Sequence, residues 1–559
     1  LSKIRHGLNA LLAGALLACT HPPPAPNPPT ASTAGAATLE APRATPANPH
    51  GNEPIHDIVI RGGTIYDGTG GEPFSGDVAI DGDKISAVAP LLLGRTLVDA
   101  QGMAVAPGFI NMLSHAYMSL GRDGRALSDV MQGVTLEVFG ETSLHPFGPR
   151  MEALAARELA VNIAGLVATS TARAESMSLR APHPTKLEID RMRALVATAM
   201  DEGALGLTSA LIYTPDNAFT TDELVQLAEV AGRKGGIYAA HIRNEGTHLI
   251  EALEEMIAIS QRAQVPVEIY HFKQSGRDNW GKLAAAVETI EKARQAGVAI
   301  GADMYTYEAA ATGLDATMPP WVRAGGNKAW IARLKDPAQR ERCARDMLRG
   351  DGDWDNFLAA AGPDGIVLAN FHAPSLQPLT GKTLAEAAKL RGKSPAETLM
   401  DLVVAEGSRG AALYFTMAEA NIKRELALPW MSFGSDADAG SPESPPRTPA
   451  HPRAFGNFAR ALGHYGRDEK VAPLAELIRR LTSLPASRLH LPQRGRLTAG
   501  SFADVVIFDA QKLTDRATYQ DPNQPATGVR ALFVNGAPVV QDGVMTALRP
   551  GRFIRRQAP

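Results

Sequence analysis

Two histidines and one aspartate are the residues of this sequence best placed to do chemistry. His241 closes the run YAAHIRNE and His271 closes EIYHFK, 30 residues apart. That spacing is one strand-helix repeat, so both imidazoles fall at matching points of adjacent strands. Neutral imidazoles so placed suit Zn²⁺, which takes nitrogen ligands at about 2.0 Å in a tetrahedral shell. A single histidine in an apolar strand is read first as a packed core residue; two at equivalent points of successive repeats favour a shared ligand role. Asp436, in MSFGSDADAG, offers a carboxylate for general-base work on water activated at a metal. Gly-Ser-Asp is also turn chemistry, so a capping role stays open, and Asp438 reads as a turn residue.

The elements that must carry these residues are apolar, β-rich runs alternating with helical segments. They are MAVAPGFIN, VTLEVFGE, VNIAGLVAT, GALGLTSA, GIYAAHIRNE, VPVEIYHFK, VAIGADMYTY and PWMSFGSDAD. Continuous apolar runs joined by helices imply a parallel sheet buried on both faces. Eight of them, each with polar residues at its C-terminal end, fit a (β/α)8 TIM barrel better than an open doubly wound sheet. No glycine-rich dinucleotide fingerprint favours the open sheet. The barrel is expected over residues 108–487. Residues 313–428 exceed what one crossover needs and read as a mostly helical insertion near the barrel mouth, shaping substrate access or simply packing.

Short alternating strands flank the barrel at both chain ends: DIVIRGGTIYDGTG and GDVAIDGDKISAVAP before it, FADVVIFDA and VRALFVNGAPVVQDG after it. Neither set suffices alone, so residues 55–107 and 488–559 are expected to pair into one small composite β-sandwich, giving an α/β protein with two parts. Lys3 and Arg5 precede an apolar run ending Leu16-Leu17-Ala18-Cys19, too short to span a bilayer as a mature helix. Residues 1–19 read as a signal peptide with a lipobox and Cys19 as the lipidated residue; plain secretion or a residual anchor helix are the alternatives. Residues 20–54, rich in Pro, Ala and Thr, read as a disordered tether. The expected localisation is the bacterial cell envelope, at the periplasmic face or cell surface, with the lipid anchor as the membrane contact. Net charge is −3 over 559 residues, which supplies no electrostatic footprint for nucleic acid. Two cysteines, Cys19 and Cys343, build no disulfide framework.

The chain resembles the amidohydrolase superfamily, and within it the D-aminoacylase or N-acyl-D-amino-acid deacylase family, from Ile58 to Arg556. The resemblance rests on IRGGTIYDGTG, VAPGFIN, DVMQGVTLEV, EGALGLTSALIYTP, GGIYAAHIRNEG, VPVEIYHFK, NWGK, ADMYTY, GKTLAEAA, HPRAFGNFAR, LTSLPASRL and FADVVIFD. It implies that His241 and His271 hold a tight zinc, that Asp436 is the catalytic aspartate, and that Lys273, Tyr213, Tyr305 and Arg243 surround the substrate. Tyr213 and Tyr305 could instead cap the barrel rim, and Lys273 could pair with Asp303. Two departures stand out. The family's first strand ends in His-x-His, whereas GFINMLSHA puts Leu113 at the first histidine and keeps His115 at the second, which argues for one metal rather than two. The family's cysteine after strand two is replaced within FGETS. Register puts Thr142 there, a poor neutral zinc ligand, and Glu141 is the expected third ligand because two histidines plus a carboxylate make a catalytic zinc shell. Glu141 as a solvated loop acid, and Glu137 as ligand, are the rival readings. His115 is a fourth ligand or an oxyanion donor.

What the resemblance implies is a hydrolase that cleaves a linear amide C–N bond with about one Zn²⁺ per chain. Its substrate would be an N-acyl-D-amino acid whose free carboxylate is read by Lys273 or Arg243. Esters, lactones and cyclic amides are alternative substrates for such a site, and a non-catalytic binding lipoprotein on the same scaffold is the alternative outside enzymology.

Overall fold

Alternation of apolar and polar residues drives the N-terminal strands. They are β1 (Ile55–Ile65), β2 (Phe74–Asp81), β3 (Lys84–Ala89), β4 (Leu93–Asp99) and β5 (Ala104–Pro107). The computed structural model describes residues 54–557 apart from 179, 180, 182, 350, 351, 353 and 445–450. The expectations for Cys19, the leader and nearly all of the tether lie outside the described residues. No helix among the described residues is long and apolar enough to cross a membrane.

The eight apolar runs each form a strand: β6 (Phe109–Ser114), β7 (Val134–Phe139), β8 (Asn162–Gly165) resuming after Leu166 as β9 (Val167–Ala168), β10 (Gly206–Ala210), β11 (Ile237–His241), β12 (Val267–Ile269), β13 (Ile300–Met304), and, beyond the insertion, the strand Met431–Phe433. Pairing is parallel throughout, from β6 through β7 to β8 and from β9 through β13 to Met431–Phe433. The seam between last and first strands closes through two backbone bonds, Asp436 N–H to the Leu113 carbonyl and His115 N–H to the Ala437 carbonyl, both 2.9 Å. This closure makes a barrel and seats Asp436 beside His115. Leu113 is fully buried, and its side chain fills the space beside the Cα atoms of Gly140 and Gly434.

The insertion is not only helical. Its helices pack on a three-stranded antiparallel sheet of β14 (Ala309–Thr312), β15 (Ile366–Ala369) and β16 (Ala411–Phe415), in the order β14-β16-β15. The insertion has its own core around Trp330, Phe357, Leu399, Met400 and Tyr414. IVLA and AALYF are short apolar runs whose pairing partners are distant in sequence, so local periodicity alone did not reveal them. Cys343 is a buried free thiol in the helix Pro337–Met347.

With Met431–Phe433 as β17, the chain ends in β18 (Val505–Phe508), β19 (Val529–Val534), β20 (Ala537–Gln541) and β21 (Val544–Met545). These join the N-terminal strands in one nine-stranded layer, β21-β20-β19-β18-β5-β1-β2-β3, with β4 on β1. The junction of the two chain ends is β18 against β5, Val506 facing Ala106. Ile60, Ile80, Val105, Val505, Ile507 and Phe533 form the core of this layer.

Candidate active site

The chemistry collects at the C-terminal ends of the barrel strands. His241 is the last residue of β11, and His115 and Tyr305 directly follow β6 and β13. Glu141 and His271 come two residues after β7 and β12, and Asp436 three residues after β17. Glu141, His271 and Asp436 all have left-handed backbone, with φ of 54°, 37° and 49°. For residues with a Cβ that conformation is costly and gathers where structure over-determines it, typically at functional sites. Here it bends three strand ends so that their side chains converge.

Donor atoms of Glu141, His241 and His271 all lie within 4.8 Å of one another. Glu141 Oε1 is 3.4 Å from His241 Nδ1 and 3.9 Å from His271 Nε2. Ligands about 2.0 Å from a tetrahedral zinc stand about 3.3 Å apart, so these separations fit a shared ion after little movement. Glu141 Oε1 is also buried without a hydrogen-bond partner among the described residues, a cost that a cation would relieve. The donor set, two nitrogens and one carboxylate oxygen, is one that zinc accepts. Glu137 stays inside β7 accepting from Asn111 at 2.8 Å and is not in the cluster with the two histidines, and Thr142 donates to the Gly140 carbonyl. A second trio, His115, Glu141 and Asp436, is equally compact, and within it His115 Nε2 and Asp436 Oδ1 are 2.9 Å apart.

Burial opposes charge on every group here, and the neighbours decide the outcome. For Glu141 the charges of His241, His271 and His115 prevail and hold its carboxyl below the ordinary range. Asp436, despite burial, is held well below by Arg453, His271 and His115. Burial, Lys273 and His241 together lower His271, which keeps it neutral and able to ligate. His241 goes the other way: Glu245 and Glu141 outweigh burial and raise it. An imidazole between two carboxylates attracts a cation, whether proton or metal.

A cavity of about 730 Å³ opens over these groups, its wall completed by Tyr213, Arg409 and Arg453. Lys273 is in this lining but does not pair with Asp303. Its ammonium bonds Glu245 Oε1 at 2.6 Å and His271 Nδ1 at 2.8 Å, while Asp303 accepts the His271 backbone N–H. Tyr305 lines the cavity, its hydroxyl without a hydrogen-bond partner among the described residues. Tyr213 lies edge-on to His241, ring centroids 5.5 Å apart, and hydrogen-bonds Thr312 at 2.6 Å. Arg243 is a correction. It lies outside the cavity lining, its guanidinium satisfied by Glu255 at 2.8 and 2.9 Å and by the carbonyls of Asn217 and Phe219. Four of its five N–H donors are committed to a carboxylate and two carbonyls outside the cavity lining, so this fork braces the strand end rather than facing substrate.

Three residues at the site escaped the sequence reading. Glu245 is buried against Lys273, His241 and His271, with Oε2 3.6 Å from His241 Nε2. Arg453, in the noted HPRAFGNFAR, places Nη1 2.7 Å from Asp436 Oδ2 in an ion pair; that contact is not aligned as a hydrogen bond, so among the described residues Nε and Nη1 lack hydrogen-bond partners. Arg409 comes from the insertion. Glu245 and Arg453 sit in quoted motifs, whereas nothing local to Arg409 in SRGAALYF pointed to a cavity.

The Amidohydrolase family model matches residues 96–540. Over 531 residues the chain is 34% identical to a D-aminoacylase of Alcaligenes xylosoxydans xylosoxydans, covering 90% of this chain and 98% of that one. A solved D-aminoacylase with a binuclear metal centre, characterised by one-metal activation and second-metal attenuation, superposes with a TM-score of 0.75 at 31% identity, covering 90% of this chain and 100% of the other. The N-acyl-D-glutamate deacylase of Bordetella bronchiseptica, solved with zinc and a phosphonate mimic of the tetrahedral intermediate, superposes equally well, with a TM-score of 0.75 at 28% identity and coverage of 90% and 100%.

Proposed function

Because this chain belongs to the amidohydrolase family, we propose that it is a metal-dependent hydrolase of linear amide C–N bonds whose substrates are N-acyl-D-amino acids. The observation that carries this reading is the convergence of Glu141, His241 and His271 donor atoms within 4.8 Å, with Asp436 at the same cavity. Those three side chains would hold one Zn²⁺. When bound, the ion supplies Lewis acidity toward a carbonyl oxygen and brings the pKa of a water toward about 7.

The chain's own residues do the rest. Asp436 is ionised, because Arg453, His271 and His115 outweigh its burial. It therefore accepts the proton of the attacking water and returns it to the leaving nitrogen as the C–N bond breaks. His115 and Arg453 fix its two oxygens, at 2.9 and 2.7 Å. Lys273 and Arg453 stand over the Tyr305 ring, 5.6 and 4.5 Å from its centroid. Together with the unpartnered Tyr305 hydroxyl they form a cationic, hydrogen-bonding corner suited to the α-carboxylate of the amino-acid half.

The test joins metal analysis to a substrate screen. Purified protein should carry about one zinc per chain, hydrolyse N-acetyl-D-amino acids in preference to the L forms, and lose activity to a chelator. Asp436→Asn should keep its zinc while kcat falls by about 10²- to 10⁴-fold. Full turnover in that variant would remove Asp436 from the proton path.

A further inference from the structure

Among the described residues, Lys273, Arg409 and Arg453 are the Lys and Arg cations lining the cavity, and they are not equally neutralised. Lys273 is matched by Glu245 and Arg453 by Asp436. Arg409, on the loop between the helix Pro395–Glu406 and β16, donates from Nε to Asp315 Oδ1 at 2.7 Å. The other oxygen of the same carboxylate faces Arg323 Nη1 at 3.5 Å. Two guanidiniums thus share one acid, leaving this stretch of wall with a surplus positive charge. Nη2 reaches Thr312 at only 3.5 Å, and Nη1 has no hydrogen-bond partner among the described residues. The Arg409 side chain is half exposed and is part of the cavity lining.

Its reach to the reaction centre is set by one ring. Arg409 stacks over Tyr213 at 5.1 Å and Tyr213 meets His241 at 5.5 Å, so the guanidinium stands within about 11 Å of an imidazole that faces the metal position. Hydrogen bonding of the Tyr213 hydroxyl to Thr312 holds that ring in place.

We propose that Arg409 is a specificity-determining residue that reads an acidic side chain on the substrate, so that the preferred amino-acid half is a dicarboxylate of the D-glutamate or D-aspartate type. The inference rests on the deacylase reading above and adds the substrate class. A half-exposed arginine with donors to spare forms a charge-assisted, fork-shaped contact with a carboxylate. An uncharged isostere gains much less from the same donors and loses the charge attraction. The surplus charge comes from the insertion, so the element that lengthens the barrel mouth also selects what enters it.

The experiment compares kcat/KM for N-acetyl-D-glutamate and its neutral isostere N-acetyl-D-glutamine. The wild-type ratio should favour glutamate by roughly 10- to 100-fold, the range of a hydrogen bond to a charged group. Arg409→Gln should bring that ratio close to one, and Arg409→Lys should leave it intermediate. Asp315→Asn removes the ion pair but keeps the cation, so the glutamate preference should survive; its disappearance there, as in Arg409→Gln, would show that Arg409 acts only through the fold. A wild-type ratio near one, or equal losses on both substrates in Arg409→Gln, overturns the proposal. If no N-acyl-D-amino acid is hydrolysed, the deacylase reading fails separately, and calorimetry with glutarate then decides: binding weakened tenfold or more in Arg409→Gln supports the anion subsite, and equal binding rejects it.

Discussion

At the scale of single residues, the site is built from groups whose surroundings oppose their ordinary behaviour. Glu141, His271 and Asp436 hold left-handed backbone that costs each of them roughly 1 kcal/mol or more, and barrel packing holds them there. Glu425 shows the same tension away from the reacting atoms. It is buried on the helix Glu419–Leu426, and burial pushes its carboxyl up to about 8, with Gln274, Lys273 and Arg424 pulling only part of the way back. In the unfolded chain the same group titrates near 4.5. The folded state therefore holds a proton that the unfolded state has released, so this contribution is complete below about 4.5 and is lost as pH rises through about 8. Thermal unfolding should show Glu425→Gln gaining on the parent protein between pH 5 and 8.5; a difference independent of pH would mean that Glu425 is charged in the fold. The histidines were legible because their type and spacing state their chemistry. Arg243 was misread because adjacency to a ligand does not fix which way a side chain leaves the strand end.

At the scale of elements, local signals account for where several helices of the barrel and of the insertion begin. Thr185 with Glu188, Thr220 with Glu223, Thr383 with Glu386 and Ser394 with Glu397 each form a reciprocal capping box at a helix start, a pattern written within four residues. Strand packing is less forgiving. A Cβ built on Gly206, the first residue of β10, would stand 2.1 Å from the Ile237 carbonyl oxygen of β11, backbone that cannot step aside without breaking the parallel ladder. Gly206→Ala should cost about 1–3 kcal/mol by overpacking, read as a lowered midpoint in denaturant; an unchanged midpoint would show that β10 and β11 separate freely. The insertion's sheet escaped sequence reading for the complementary reason: β14 and β16 pair across about 100 residues, and no local pattern encodes a distant partner.

At the scale of the molecule, residues from Pro54 onward form one compact unit, and the chain ends are what tie it together. β18 lies between β5 and β19, Asn535 bonds Asn162 of β8 at 2.8 Å, and Ile554 N–H bonds the Ile163 carbonyl. A chain truncated after residue 504 would expose Ile60, Ile80 and Val105 and leave β5 an unpaired edge. It should be insoluble or lack a cooperative thermal transition; a soluble truncated barrel with a sharp transition would show that the composite layer is dispensable. The family resemblance marked an acid where a cysteine is usual; by itself the sequence determined what repeats and what is local: eight apolar runs and two histidines one repeat apart. Periodicity and residue type suffice for these because the forces involved act within a strand or a turn. Only the tertiary structure decided that Glu141 rather than Glu137 meets the histidines, that Lys273 answers to Glu245, and that a distant insertion brings Arg409 to the cavity. Those outcomes depend on distances between segments far apart in the chain, which barrel closure sets and no short window of sequence contains.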